Sequence, residues 1–379
     1  MNFNELRTPC FILDADTLRH LYRSFRDALQ NHFAGARVAY SVKTNSNPTL
    51  LHILKEEGAA AEVVSDTEYD LATALGFKEI VFNGPVKGKE HFLKALQDGQ
   101  VVNIDSKREL DWLEELPVGV QASVGLRVNV PLPEDDTFSR FGFGMEELKE
   151  AVERIQALPN VRLAGLHLHR TSKSRSLEVY AHIADKAAAV LQAYSLEPDY
   201  IDIGGGYFGE MPGKPSFEDY ATTLAKKLKD YPRVRIIVEP GNALCAGVFS
   251  FLSSVLDVKE ISGQTVVVCD GSRNDIDPFF RKTDYFKSFP TVEEGRPHAP
   301  VQTVVGGTCL ENDRLFTLEG EPALRPGDRI AFANTGAYTM ALSPLFIRYF
   351  PRVYVLEGGR YRQASEQWSA HDYLNAYGI

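Results

Sequence analysis

Eight short apolar runs recur between residues 36 and 241, and seven stretches with the apolar spacing of an amphipathic helix separate them. The runs fall at 36–43, 60–65, 79–84, 101–106, 122–130, 162–169, 200–207 and 235–241. Helical spacing lies between them at 48–57, 67–75, 90–97, 108–116, 145–157, 177–194 and 217–228, and a further helix is expected near 17–31. A strand that returns parallel to its predecessor needs a crossover of a dozen or so residues, and a helix supplies one. Eight such units point to closure into a (β/α)8 barrel, an α/β fold.

Past Gly241 the texture changes. Short strand-like runs follow one another at 248–259, 264–270, 299–307, 328–339 and 351–357, separated by Gly, Pro and Asp turns with little helical period. That pattern reads as an all-β domain, a sandwich or small barrel. The leading run C-F-I-L-D is assigned to it, because the barrel already has eight strands without it. The expected division is therefore a barrel over 15–245 and an all-β domain made of 1–14 plus 246–379.

Composition narrows the partners. The chain of 379 residues is 44% hydrophobic and carries a formal charge of -10, which argues against nucleic acid. No stretch reaches the ~18 apolar residues of a membrane helix, and M-N-F-N-E-L-R-T-P lacks the basic and apolar regions of a signal peptide. Cys10, Cys245, Cys269 and Cys309 are scattered without C-x-x-C spacing, so neither a disulfide framework nor a metal site is expected. The expectation is a reduced, cytoplasmic protein acting on a small molecule.

Barrel enzymes work at the C-terminal ends of their strands. Here those ends are polar. The first delivers Lys43 and the second carries Glu62, leading to Ser65 and Glu68. The fifth carries Arg127 and Asn129, and the sixth His167 and His169. The seventh ends in Asp202 before Gly204, Gly205 and Gly206, and the eighth in Glu239, Pro240 and Gly241. Each alone has an ordinary explanation: a solvated lysine, a core histidine, a tight turn. Together they offer an amine for a Schiff base, a backbone cradle for phosphate, a planar face and a carboxylate. A pyridoxal phosphate site needs those parts.

The motifs S-V-K-T-N-S-N-P, S-R-F-G, G-L-H-L-H, D-I-G-G-G-Y, E-P-G, G-G-T-C-x-x-x-D and G-A-Y-T, taken together, resemble the fold-type III pyridoxal-phosphate decarboxylases. That group includes the ornithine, diaminopimelate, lysine and arginine enzymes and is related to alanine racemase. The resemblance implies that Lys43 is the Schiff-base lysine, that His169 stacks on the ring, and that Ser172 with Gly204, Gly205 and Gly206 holds the phosphate. It implies that Glu239 pairs with the ring nitrogen and that Tyr338 reaches the cofactor. Glu62, Arg127, Gly241 and Asn242 complete the candidate cofactor contacts. Cys309 resembles a cysteine that protonates the product carbon and comes from a partner subunit, which implies a homodimer with shared sites. Asp270 resembles a residue that binds the substrate's distal group. Arg140 and Asp313 resemble a charge pair across the dimer interface.

Three departures bear on specificity. Asn242 follows E-P-G where relatives carry an arginine that supports the phosphate. Leu310 follows Cys309 where an acidic residue commonly grips a distal amine. The run S-R-N-D-I-D-P-F-F-R-K lacks the Arg-Pro pair of diaminopimelate decarboxylases. Arg273, Arg281 and Lys282 lie there, either as a solvated loop or as a pocket for an anionic or bulky polar group. The leading expectation is decarboxylation of an amino acid, or of an amino-acid conjugate of secondary or siderophore-type metabolism. The alternatives are a racemase or epimerase, disfavoured by a thiol at the position of a second base, and a non-catalytic cofactor-binding homologue.

Overall fold

The eight parallel strands close on themselves. In the computed structural model, described for residues 3–117, 119–132 and 139–379, β1 (Cys10–Asp14) precedes the barrel. The barrel strands are β2 (Arg37–Ser41), β3 (Ala60–Val63), β4 (Ile80–Phe82), β5 (Val101–Ile104), β6 (Ala122–Arg127), β7 (Val161–His167), β8 (Tyr200–Asp202) and β9 (Arg235–Val238). Each pairs in parallel with the next, and β9 returns to β2 through Arg37 opposite Ile237 and Val38 opposite Val238. Small and branched residues, among them Ala39, Ala60, Val81, Ala164 and Ile237, pack around the buried ring of Tyr200. A Cβ at Gly165 would lie 2.3 Å from that ring, so glycine on β7 lets one tyrosine fill the interior.

Local chemistry sets the helix starts. Asn47 accepts hydrogen bonds from the N–H groups of Thr49 and Leu50, and Pro48 occupies the first helical position. The helix Pro48–Glu56 therefore begins directly after the turn that holds Lys43. Ser65 does the same for the helix Asp66–Ala74. Its hydroxyl accepts from the N–H of Glu68, and the Glu68 carboxylate accepts from the N–H of Val64 at 2.8 Å. These two polar residues, singled out at the end of a strand, close a helix terminus.

The chain divides into two compact units, Arg19–Leu244 and a second made of Met1–Leu18 with Cys245–Ile379. The second unit is built on β10 (Phe249–Ile261), β11 (Gln264–Cys269), β12 (Lys287–Ser288), β13 (His298–Val305), β14 (Arg314–Pro322), β15 (Arg329–Phe332), β16 (Arg352–Glu357) and β17 (Arg360–Ser365). The order is β14-β13-β11-β10-β1-β16-β17, with β15 on β10 and β12 on β15. β1 lies antiparallel to β10 and parallel to β16. The 13-residue β10 serves two neighbourhoods: its first half pairs with β1 and β15, its second with β11, and the register shifts between Val255 and Asp257. Phe11 packs on Phe251 at 4.9 Å between ring centroids and helps form the core here.

One expected strand is shorter than its sequence suggests. Only Arg329–Phe332 of the run 328–339 is extended. Asn334 and Tyr338 take left-handed φ values of 56° and 55°, which a strand cannot accommodate. The unit also adds helices at Arg273–Ile276 and Ala370–Ala376 to the all-β pattern. No helix among the described residues is long and apolar enough to cross a membrane.

Candidate active site

Lys43 sits in a single 3-10 turn, Val42–Thr44, that ends β2. Its ammonium donates to Glu62 on β3 at 2.8 Å, with 41% of the lysine side chain exposed and 1% of the glutamate. Ser41 also donates to Glu62, at 2.5 Å. From there a buried polar chain crosses the barrel mouth. The amide of Asn83 lies 3.5 Å from Glu62 and donates to Glu239, and its own carbonyl accepts from Asn103 at 2.8 Å.

Glu239 is the centre of this array. It stands 3.6 Å from His167, and His167, Asp202 and Glu239 have potential ligand atoms within 4.8 Å of one another. Burial alone would raise the Glu239 carboxyl. The His167 imidazole, a hydrogen bond from Asp202 and the Lys43 charge outweigh burial and hold it below the ordinary carboxylate range. Asp202 is pushed well above its usual value by burial and by the Glu239 charge. Of the two, Asp202 keeps the proton and Glu239 the charge. With a proton on Asp202 the trio is not a set of three free metal ligands.

The turns after β8 and β9 press together. Glu239 N–H donates to Gly204 at 2.8 Å, and a Cβ on Gly205 would fall 2.3 Å from the Glu239 carbonyl. Gly204 has φ +73 and Gly206 φ +95, so the turn needs glycine for its backbone as well as for space. The Gly205 N–H donates to His169 Nδ1 at 3.2 Å, which fixes the ring beside the turn. That ring is partly accessible, and loss of hydration at its depth pulls its pKa down to about 3, so it is a neutral face. The N–H groups of Gly206, Tyr207 and Gly241 make no hydrogen bond among the described residues. The Asn242 Oδ1 and the Tyr207 hydroxyl are buried without a partner there. Unspent N–H donors around a glycine turn suit a phosphate.

The other expected residues are placed differently. Arg127 is paired through Nη1 with Asp105 at 3.1 Å and lies over Phe141, and its Nε is buried without a partner among the described residues. Ser172 accepts from the Arg175 N–H at 3.1 Å within its own loop. In the second unit, Tyr338 and Cys309 are exposed and Leu310 is half-buried. Asp270 accepts three hydrogen bonds: Ser253 and the Ser254 N–H donate to one oxygen, both at 2.8 Å, and Thr8 donates to the other at 2.6 Å. Arg273 is held by Asp277 and by the Lys282 carbonyl at 2.6 Å. Both side chains hold strand ends and loop together in this chain. Asp313 is buried and accepts from Ser272, the Arg273 N–H and Thr308, leaving no oxygen for Arg140. A Cβ at Gly306 would meet Asp313 at 2.3 Å, so G-G-T-C-x-x-x-D is a turn wrapped on a carboxylate, with Cys309 at its tip. Asn83, the bridge between the two glutamates, was missed by the sequence reasoning. Its place at the end of β4 was the available signal.

The model of the pyridoxal-dependent decarboxylase pyridoxal-binding domain matches residues 18–246. The chain belongs to this family. Diaminopimelate decarboxylase of Haemophilus influenzae is 28% identical over 364 residues, covering 89% of this chain and 85% of the relative. An L-glutamyl-[BtrI acyl-carrier protein] decarboxylase of Niallia circulans is 26% identical, covering 96% and 92%. Among solved structures, diaminopimelate decarboxylase from Helicobacter pylori complexed with L-lysine superposes with a TM-score of 0.84 at 25% identity, covering 100% of this chain and 99% of that one. The protein is a pyridoxal-phosphate-dependent amino-acid decarboxylase, a carbon–carbon lyase, with the barrel fold of its relatives.

Proposed function

We propose that the enzyme decarboxylates an amino acid, or an amino-acid conjugate, whose distal group is not a simple amine. The observation that carries the site reading is one connected array: Lys43 on Glu62, Asn83 between the two glutamates, and an ionised Glu239 beside unspent N–H donors. Pyridoxal phosphate, when bound, supplies a carbonyl and an electron-withdrawing ring. In this reading Lys43 offers the amine, Glu239 holds a proton on the ring nitrogen, and neutral His169 lies against the ring face. The turn Gly204, Gly205, Gly206 shapes the phosphate cradle, the free N–H groups of Gly206 and Gly241 donate into it, and Asn242, Ser172 and Tyr338 are further contacts. Glu62 keeps Lys43 in place, Asn83 fixes Glu239, and Cys309 delivers a proton to the product carbon. We assign the enzyme to the cytoplasm as a homodimer in which Cys309 serves the partner's lysine.

The substrate reading rests on Leu310. An ammonium buried against leucine loses its hydration without gaining a counter-ion, which costs several kcal/mol. Asp270 already accepts three hydrogen bonds within its own unit, which weakens it as a replacement counter-ion. The relative whose name specifies a glutamyl group on an acyl-carrier protein supports a conjugate. The test incubates the purified holoenzyme with an amino-acid and conjugate panel in deuterated water, following carbon dioxide and product chirality. Carbon dioxide release on a substrate without a terminal amine is the expected result. A kcat/KM at or above ~10^4 M⁻¹s⁻¹ on ornithine or lysine, the ordinary enzyme range, would remove the Leu310 argument. Inversion without carbon dioxide would mark a racemase.

A further inference from the structure

The cradle has a charge deficit. A phosphate monoester carries about -1.5 to -2 charges at neutral pH. Every group assigned to it is neutral: backbone N–H groups, Ser172, the Asn242 amide. The surrounding fixed charges are Glu62 and Glu239, while Lys43 is paired with Glu62 and Arg127 with Asp105. A dianion brought in among carboxylates needs a cation that none of these residues supplies.

We propose that Arg175 is that cation; the proposal rests on the reading of this mouth as the cofactor site. The loop 170–176 leaves β7 beside the glycine turn. Within it Arg175 is held at three points. Its N–H donates to Ser172 Oγ at 3.1 Å, its carbonyl accepts from the Tyr220 hydroxyl at 2.8 Å, and its guanidinium lies over the Phe208 ring at 5.2 Å. The same Tyr220 hydroxyl accepts from the Phe208 N–H at 3.4 Å, so one phenol staples the arginine loop to the segment that follows Gly206. Arg175 also takes a left-handed φ of 49°, a conformation a long L side chain adopts only when its surroundings impose it. No carboxylate pairs with it among the described residues. An anchored, strained guanidinium without a counter-ion, on a loop stapled to the segment that follows the glycine turn, is poised for a bidentate anion. Lys214 lies over the same ring at 5.2 Å but is exposed, and Lys173 is exposed too.

The test separates the phosphate from the ring. Apoprotein is titrated with pyridoxal phosphate and, separately, with pyridoxal, following cofactor absorbance, with circular dichroism to confirm folding. Arg175→Ala should weaken pyridoxal phosphate binding about 10- to 100-fold, the weight of one charge-assisted hydrogen-bonding group, and leave pyridoxal binding unchanged. Arg175→Lys should restore part of the loss. Equal losses for both ligands, or no loss, overturn the assignment, as does a phosphate-selective loss in Arg170→Ala or Lys173→Ala but not in Arg175→Ala. If Arg175→Ala fails to fold, Arg175→Gln is held to the same criterion. Wild-type protein that binds neither ligand would remove the cofactor-site reading itself, and this assignment with it. Wild-type protein that binds the phosphate form normally while Arg175→Ala also does so would remove only the latter.

Discussion

Lys43 owes its place to neighbours that leave little room. Thr44 follows it in the turn, and a Cβ at Gly241 would fall 2.0 Å from the Thr44 hydroxyl oxygen, so the turn after β9 packs against the lysine's turn only as glycine. Glu62 then takes the ammonium from the adjacent strand. On the proposed chemistry, borohydride reduction of the holoenzyme followed by peptide mapping places a pyridoxyl group on Lys43, and Lys43→Ala loses the imine absorbance; a label on another lysine would sink the assignment. The strand-end positions of Lys43, His169 and the glycines were legible because the barrel tells where strand ends point. The local partners of Asp270, Arg273 and Asp313 were not, because a carboxylate or guanidinium in a motif looks the same whether it faces a ligand or its own loop. Only the donors around it, here Thr8, Ser253, Ser272 and Thr308, show which.

The strand ends are also where elements are tied to one another. Lys87 follows β4, and its buried ammonium donates to the carbonyls of Gly84 and Asn103, both at 2.9 Å, and to Glu109 at 3.0 Å. Asn103 lies on β5 and Glu109 in the helix Lys107–Leu113, so one side chain joins three elements behind Asn83. Burial lowers the lysine pKa and raises that of the glutamate; their mutual attraction opposes both shifts. Removing one partner strands the other's charge. Lys87→Met should therefore cost about 3–5 kcal/mol in denaturant unfolding, and adding Glu109→Leu should recover part of it; additive losses would show that the pair is not coupled. Each barrel strand was legible from its run, with ends that differ by a few residues where loops begin. The stretch 328–339 read as strand because its side chains alternate, whereas its left-handed residues depend on backbone geometry that side-chain pattern does not encode. β14 and β17, rich in charged and polar residues at the edges of the sheet, gave too little apolar signal to stand out.

At the scale of the molecule, the candidate chemistry is split between two units: Lys43, Glu239 and the cradle in one, Cys309 and Leu310 in the other. If sites are shared between subunits, mixing Lys43→Ala with Cys309→Ala should restore up to about a quarter of the activity, through heterodimers with one intact site. No recovery after confirmed subunit exchange would mean that one chain builds each site. The turn that carries Cys309 and Leu310 is held at its base, by buried Asp313 with Gly306 making room for it and by the Gly307 N–H on the Gly271 carbonyl at 2.8 Å. Residues at the tip can therefore drift without loosening the base, while the barrel keeps its lysine and its cradle untouched. That makes 306–313 a natural cassette: with Gly306, Cys309 and Asp313 kept, a lineage, or a protein engineer, can exchange the positions between them and leave the barrel's lysine and cradle unchanged.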